Sequence, residues 1–341
     1  MSKVGIIANP FASMDIRRLV AYASTIGSYY KIGIVRRAIS ALNWVGVDEI
    51  LIMPDRDHMG YRAVSDISKQ ELKSKVTILD ARITNEAEDS IQAAKMMKRA
   101  GVECIITMGG DGTNRIVSRA CGRIPIVPIS TGTNNTFPLM VEGTTAGMAA
   151  GIIAKGIVSP RKCVMTTKKL NIIKNGKTVD IALIDAVVLN QQFIGSRAIW
   201  DIEHVNEVIT TQCHPAFIGM ASIGGSFHPI SAEEDQGIYI RIGDNNMKVS
   251  AAIAPGLITE VGIDGYRILK LKDRVEIKVN QMSVIALDGE REVEIKPQDK
   301  VEIELVRNGP RVVKIKETLK EAAAAGFLIK TGHPNGAEEI I

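Results

Sequence analysis

The apolar run Cys104-Ile105-Ile106-Thr107-Met108 leads directly into Gly109-Gly110-Asp111-Gly112-Thr113-Asn114, the order of a strand, a tight loop and a helix start. Glycines at 109, 110 and 112 let the backbone turn sharply and leave amide N–H groups open to phosphate oxygens. The helix that follows, with Ile116, Val117, Ala120 and Cys121 on one side, aims its positive N-terminal end at the same anion. Phosphate binding is the chemistry this spacing predicts. Asp111 goes further, because a carboxylate within reach of a substrate hydroxyl can orient it and accept its proton during phosphoryl transfer. The competing reading is a plain strand-to-helix turn in which Asp111 caps the helix.

Other short stretches have the composition of supporting elements. Asn9 ends the first apolar run, where open α/β sheets bind ligands, although Asn9-Pro10 also has the makings of an ordinary turn. Thr131-Gly132-Thr133-Asn134-Asn135 follows another strand and offers hydroxyl and amide groups to the same crevice; a polar loop with a glycine turn is the alternative. Asp288-Gly289-Glu290 lies between Ser283 to Leu287 and Arg291 to Ile295, where Asp-Gly is what a hairpin turn uses. Glu290 is also a candidate for holding Mg²⁺ or a water near phosphates, given the oxygen preference of that ion.

These residues need a frame. Up to about residue 140, apolar runs alternate with helical periodicities, as in a parallel sheet with crossover helices. Strands are expected at Val4 to Ala8, Glu49 to Met53, Val76 to Leu79, Glu103 to Met108 and Ile124 to Ile129. Val35, Ala38, Ile39 and Leu42 mark one helix ending at Gly46, and Ala87, Ile91, Ala94 and Met97 a second ending at Gly101. From about Lys162 the texture turns to valine- and isoleucine-rich runs broken by Asn-Gly and Asp-Gly pairs, which predicts antiparallel hairpins and a β-sandwich. Asn175-Gly176 is expected to join Leu170 to Ile173 with Thr178 to Val188, and Asn308-Gly309 to sit in a similar pair. Gly195 to Thr211 reads equally as a helix, with Trp200, Ile202, Val205 and Ile209 on one face, or as a loop. Glu317 to Ala325 is expected to be helical and Gly332 to Gly336 a loop. The division expected is 1–145 for an α/β nucleotide-binding domain, joined by the tail 317–341, and 146–316 for a mostly β substrate-binding domain.

Composition narrows the function. With 45% hydrophobic and 23% charged residues the 341-residue chain is globular, and its net charge of +4 is spread over 42 basic and 38 acidic residues without a long run of one sign. That predicts no nucleic-acid partner. The four cysteines have no paired spacing, so a reduced, cytoplasmic setting is expected, without a signal peptide or membrane span. Histidines at 58, 204, 214, 228 and 333 lack metal-ligand spacing, and neither a nucleophile elbow, a Walker loop nor a dinucleotide fingerprint occurs.

The first loop resembles the signature of the superfamily of NAD kinases, diacylglycerol kinases and sphingosine kinases. Asn9-Pro10 is similar to its early asparagine-proline element, Thr131 to Phe137 to its second glycine loop, and Asp288-Gly289-Glu290 to its late aspartate-glycine element. Ile126 to Asn135 and Arg197-Ala198-Ile199-Trp200-Asp201 resemble the ATP-NAD kinases of the acetoin-catabolism X-protein (AcoX) branch. The resemblance implies an α/β domain with a parallel sheet followed by an antiparallel β-sandwich. It also implies ATP and Mg²⁺ as cofactors and a small hydroxyl compound as acceptor, with NAD phosphorylated on its adenosine 2'-hydroxyl as the first expectation. A homo-oligomer is expected as well. By resemblance Asp111 is catalytic, and Asn9, Pro10, Gly109, Gly110, Gly112, Thr113, Asn114 and Thr131 to Asn135 bind nucleotide. Asp185, Gly224, Gly225, Asp288 and Glu290 are placed at the acceptor in the same way. The chain departs from the NAD kinase pattern where Ile184 stands for an asparagine, followed by Asp185 in place of a glutamate, and where His214 to Gly219 replaces a glycine-serine-threonine run. Isoleucine has no amide to hydrogen-bond a dinucleotide. A lipid kinase, or a silent nucleotide-binding sensor, therefore stays open.

Overall fold

The structure, a computed structural model, describes residues 1–10, 22, 27–68, 70–132, 134–190 and 202–329. The elements run β1 (Lys3–Ala8), α1 (Ser28–Val45), β2 (Glu49–Ile52), α2 (Met59–Ser65), β3 (Lys75–Ile78), α3 (Ala87–Arg99), β4 (Cys104–Gly109), α4 (Asp111–Cys121) and β5 (Ile126–Ser130). These strands pair in parallel in the order β3-β2-β1-β4-β5. They are almost wholly apolar because both faces are covered: Ile6, Ile50, Ile106 and Val127 pack with α1, while Ile7, Leu51 and Ile105 meet Ala94 and Met97 of α3. α1 buries Val35, Ala38, Ile39 and Leu42 and stops at Gly46, whose φ of 83° lets its N–H return to the Leu42 and Asn43 carbonyls.

Strand order sets the position of the crevice. The chain builds outward from β1 to β3, then crosses to the other side of β1 for β4 and β5. Chain direction therefore diverges between β1 and β4, and their C-terminal ends open the crevice in which such sheets take ligands. Asn9 leaves β1 there, with its N–H on the Met108 carbonyl at 3.0 Å.

The chain continues through α5 (Gly143–Ala154), α6 (Pro160–Cys163), β6 (Val164–Thr166), β7 (Lys169–Lys174), β8 (Lys177–Ala182), β9 (Asp185–Leu189), β10 (Val205–Thr210) and α7 (Ala221–Gly225). It ends with β11 (Gln236–Ala254), β12 (Leu257–Lys270), β13 (Arg274–Ile277), β14 (Ser283–Leu287), β15 (Glu290–Ile295), β16 (Val301–Val306), β17 (Arg311–Val313) and α8 (Ile315–Ala324). Straddling the division expected near 145, α5 packs on α1. The contact is so close that a Cβ on Gly147 would lie 2.6 Å from the Ala38 carbonyl oxygen. Beyond it, a sheet ordered β12-β11-β10-β9-β14-β15 faces one ordered β13-β16-β7-β8. Leu170, Ile172, Ile303 and Leu305 of the smaller sheet interleave with Val188, Ile209, Ile285 and Leu287 of the larger, making a β-sandwich.

Three expectations fail here. Thr178 to Val188 is not one strand but β8 and β9, which belong to different sheets, because the chain crosses between layers at Leu183-Ile184. The amides of both crossover residues go to the Asp288 carboxylate instead of a neighbouring strand. Asn308-Gly309 is not a hairpin turn. Among the described residues, only Asn175-Gly176 (φ 52° and 79°) and Asp288-Gly289 (φ 52° and 83°) have the left-handed pair that primed turns require. After Gly309 the chain leaves the sandwich, and β17 inserts between β5 and β6 in the first sheet. The stretch read as helix or loop contains β10, with Val208 and Ile209 buried in separate cores on its two faces. Its beginning, Gly195 to Asp201, and the expected loop at 332–336 lie outside the described residues.

Past β17, α8 returns to the first half and sets Ala322, Leu319 and Phe327 against Val45, Ile152 and Cys163. No described helix is long and apolar enough to cross a membrane.

Candidate functional site

Gly110 is the N-cap of α4, with extended φ and ψ of −93° and −169° and no side chain of its own to cap the first turn. Asp111 does not cap its own helix. Its carboxylate accepts the N–H groups of Thr136 at 3.1 Å and Phe137 at 2.8 Å, across the crevice in the loop after β5. The N-cap position itself is taken by Gly110.

Buried hydrogen bonds hold this loop in shape. Asn114 is fully buried; it accepts the Thr107 hydroxyl at 2.6 Å and donates to the Gly110 carbonyl at 2.9 Å. Asn9 Nδ2 donates to Thr113 Oγ1 at 3.0 Å, tying the β1 end to the helix start. In the second loop Asn135 Nδ2 donates to Ser130 Oγ at 2.8 Å, and that hydroxyl donates to the Gly132 carbonyl at 2.9 Å. Asn134 is half-buried beside them and Thr131 is buried, with Oγ1 lacking a hydrogen-bond partner among the described residues. Thr133 lies outside those residues.

Two glycines measure how tightly the pieces meet. A Cβ on Gly110 would stand 2.8 Å from Asn135 Oδ1, and one on Gly112 would stand 3.1 Å from Glu290 Oε1. The first loop thus sits between the second loop and the tip of the β14–β15 hairpin. Residues separated by about half of the chain share one place.

Sequence reasoning placed Asp288 at the acceptor, but its side chain is completely enclosed. Its carboxylate accepts the N–H groups of Leu183 and Ile184, at 3.0 and 2.8 Å, and faces Arg115 Nε at 3.7 Å. Burial raises its pKa against the pull of Arg115 and these amides. Asp185 is buried at the start of β9. Gly224 and Gly225 serve packing: a Cβ on Gly225 would fall 2.2 Å from His214 backbone carbon, and one on Gly224 3.2 Å from Cys213 Sγ.

Sequence reasoning missed Arg115 and Lys31. Arg115 lies one helical turn after Asp111 and is 2% exposed, with Nη1 on Asp180 at 3.1 Å and Nη2 on Glu292 at 2.8 Å. Burial opposes its charge, yet Asp288, Asp180, Glu292 and Glu290 outweigh that and raise its pKa. The buried Lys31 donates to the Asn9 and Pro10 carbonyls at 3.3 and 2.8 Å. Burial lowers its pKa to about 8, opposed by Asp57 and Asp55. A charged residue amid a helical apolar pattern reads as solvated surface, so nothing in the sequence marked either one.

A parallel sheet with two polar loops meeting at its switch point is the frame of a kinase-like fold. Residues 4–157 match the ATP-NAD kinase N-terminal domain, and residues 168–308 match the acetoin catabolism protein X C-terminal domain. The acetoin catabolism protein X of Cupriavidus necator is 36% identical over 331 residues, covering 94% of this chain and 92% of that protein. The chain belongs to the acetoin catabolism protein X family. A crystal structure of an NAD kinase from Archaeoglobus fulgidus in complex with ATP aligns with 96% of this chain and 100% of its own. That likeness has 12% identity and a TM-score of 0.45, too distant to bear on the site.

Proposed function

We propose that the protein is an ATP-dependent phosphotransferase that acts on a hydroxyl acceptor, with Asp111 as the base. The observation that carries this reading is the Asp111 carboxylate, fixed by the Thr136 and Phe137 amides at the mouth of a helix whose first turn has no side-chain cap. Gly109, Gly110 and Gly112 leave room for phosphate oxygens, and the first-turn N–H groups of α4 supply the positive end. Asn9, Pro10, Thr113 and Asn114 hold the loop, and Thr131, Gly132, Asn134 and Asn135 form the opposite wall. The donor site belongs to residues 1–145 with the tail from 317, and the acceptor site to 146–316.

A Cβ on any of the three glycines would fall within 3.1 Å of a neighbouring side chain, so glycine at these positions lets the loop pack against Thr113, Asn135 and Glu290. Among the described residues no cluster of three His, Cys, Asp or Glu side chains could hold a metal. Glu290, which faces Gly112, would be the protein carboxylate for Mg²⁺ held on the ATP phosphates. Bound there, it neutralises phosphate charge.

NAD is the acceptor that the family of the N-terminal domain suggests. A second reading, a lipid or other small alcohol, is favoured by Ile184. Its side chain is buried with Leu183, Ala221, Phe137 and Phe217, and its N–H is held by Asp288, so this position offers no hydrogen bond to a dinucleotide. Incubation with labelled ATP and a panel of NAD, diacylglycerol, sphingoid bases and short polyols, with products resolved by mass, separates the two. ATP binding without any labelled product would instead indicate a silent sensor.

A further inference from the structure

Arg115 stands between the two halves of the site. It projects from α4 one turn beyond Asp111, is almost completely enclosed, and is surrounded by carboxylates that all come from the β-sandwich: Asp180 of β8, Asp288 of the β14–β15 turn and Glu292 of β15. Arg119, a turn further on, adds a contact to Asp180 at 3.3 Å. A buried guanidinium matched to several carboxylates gives a fixed geometry, because its planar fork binds in few orientations.

Asp288 extends the connection. Its Oδ1 takes the Ile184 N–H at 2.8 Å, the Leu183 N–H at 3.0 Å and the Asp185 N–H at 3.3 Å, while Oδ2 faces Arg115. The same hairpin turn sets Glu290 against Gly112. One side chain of the donor helix is thus joined through one carboxylate to the whole layer crossover that walls the acceptor side.

We propose that Arg115 is a positioning residue that locks the donor loop to the acceptor wall, so that Asp111 and residues 183–185 keep a fixed relation. This rests on the phosphotransferase reading. Without Arg115 the buried Asp288 carboxylate has no cation facing it and burial drives it to take up a proton. A neutral carboxyl is a weaker acceptor for the amides of the crossover. The crossover then loosens while the phosphate loop, held by Asn9, Thr107 and Asn114, stays intact.

The test combines ATP binding by calorimetry, hydrogen exchange at Leu183 and Ile184, and turnover with the best acceptor, for wild type, Arg115→Met and Arg115→Lys. The expected result for Arg115→Met is ATP affinity within about threefold of wild type, exchange at both amides at least about tenfold faster, and a fall in kcat without a matching rise in KM for ATP. Arg115→Lys, which keeps the charge, should recover much of the protection. If Arg115→Met does not fold, Arg115→Met combined with Asp288→Asn removes both charges while leaving an oxygen for the amides. In that pair exchange at both amides should stay faster than in wild type and the fall in kcat persist. Wild-type protein that binds ATP, with unchanged exchange in Arg115→Met, overturns the inference alone. ATP affinity that falls in step with amide protection also overturns it, since Arg115 would then merely hold the fold. Wild type that binds no ATP overturns the phosphotransferase reading, and the inference with it.

Discussion

The Asp111 carboxylate accepts the Phe137 N–H at 2.8 Å, so the residue at the head of one helix takes its orientation from the loop after the neighbouring strand. The two loops that follow β4 and β5 are therefore one unit. Displacing either moves the carboxylate relative to the glycine loop.

Asp111→Asn keeps an oxygen for the Phe137 and Thr136 amides but cannot take a proton. Turnover is expected to fall by about 10²–10⁴-fold, the usual weight of a general base. The folded state should lose only about 1 kcal/mol, the difference between a charged and a neutral acceptor. Steady-state rates and thermal unfolding check both, and full activity in the variant would remove Asp111 from the mechanism.

Gly112→Ala and Gly176→Ala make an instructive pair. At 112 the new methyl gains helix propensity worth about 1 kcal/mol but presses on Glu290, 3.1 Å away. Stability should barely change while ATP affinity falls about tenfold, near 1.4 kcal/mol. At 176 there is open space, but φ is +79°, so the change should cost about 1 kcal/mol and leave ATP binding untouched. Calorimetry with denaturant titration distinguishes them; equal effects on binding would refute the assignment of the first loop.

Asp288→Ala strands the Leu183 and Ile184 amides and takes a carboxylate from buried Arg115. A loss of about 3 kcal/mol is expected, in the range for breaking a buried pair. The denaturant midpoint reports it, and a loss below about 1 kcal/mol would mean that Asp288 is not a structural anchor.

Stability should also depend on pH in a defined window. Burial brings Lys31 and Lys168 to about 8, from 10.5 when solvated, with Arg307 adding to the fall at Lys168. Between those values the unfolded chain binds more protons than the folded one, so stability rises with pH. Each lysine should add about 1 kcal/mol from pH 8 to pH 9. Above pH 9 the rise is opposed, because burial raises Cys121 and Cys213 from 9.0 to about 11. Lys31→Met should remove about half of the rise between pH 8 and 9; a flat wild-type profile there would contradict the burial of both ammonium groups.

Much of the layout was legible in the residues themselves. Continuous apolar runs such as Val4 to Ala8 have one stable use, strands covered on both faces, and Gly46 and Asn175-Gly176 mark stops and turns through dihedrals that other residues resist. The glycine loop around Asp111 was legible for the same reason, since its function depends on local backbone geometry. Asn308-Gly309 misled because turn composition says nothing about which sheet receives the next strand.

Long-range partners belong to the tertiary structure alone. Whether Asp111 caps its own helix or reaches Phe137 depends on where the β5 loop lies, and local sequence does not encode that distance. Asp288 has the composition of a turn residue, and only folding encloses it between Arg115 and the Leu183-Ile184 crossover. Arg115 carries no signal in the chain; its burial becomes favourable only once three carboxylates from the other half surround it. The sequence by itself determined the glycine loop and the strands beneath it, because those follow from backbone conformation and periodicity. The tertiary structure decided which charges meet across the domains, because that depends on contacts between residues more than sixty positions apart.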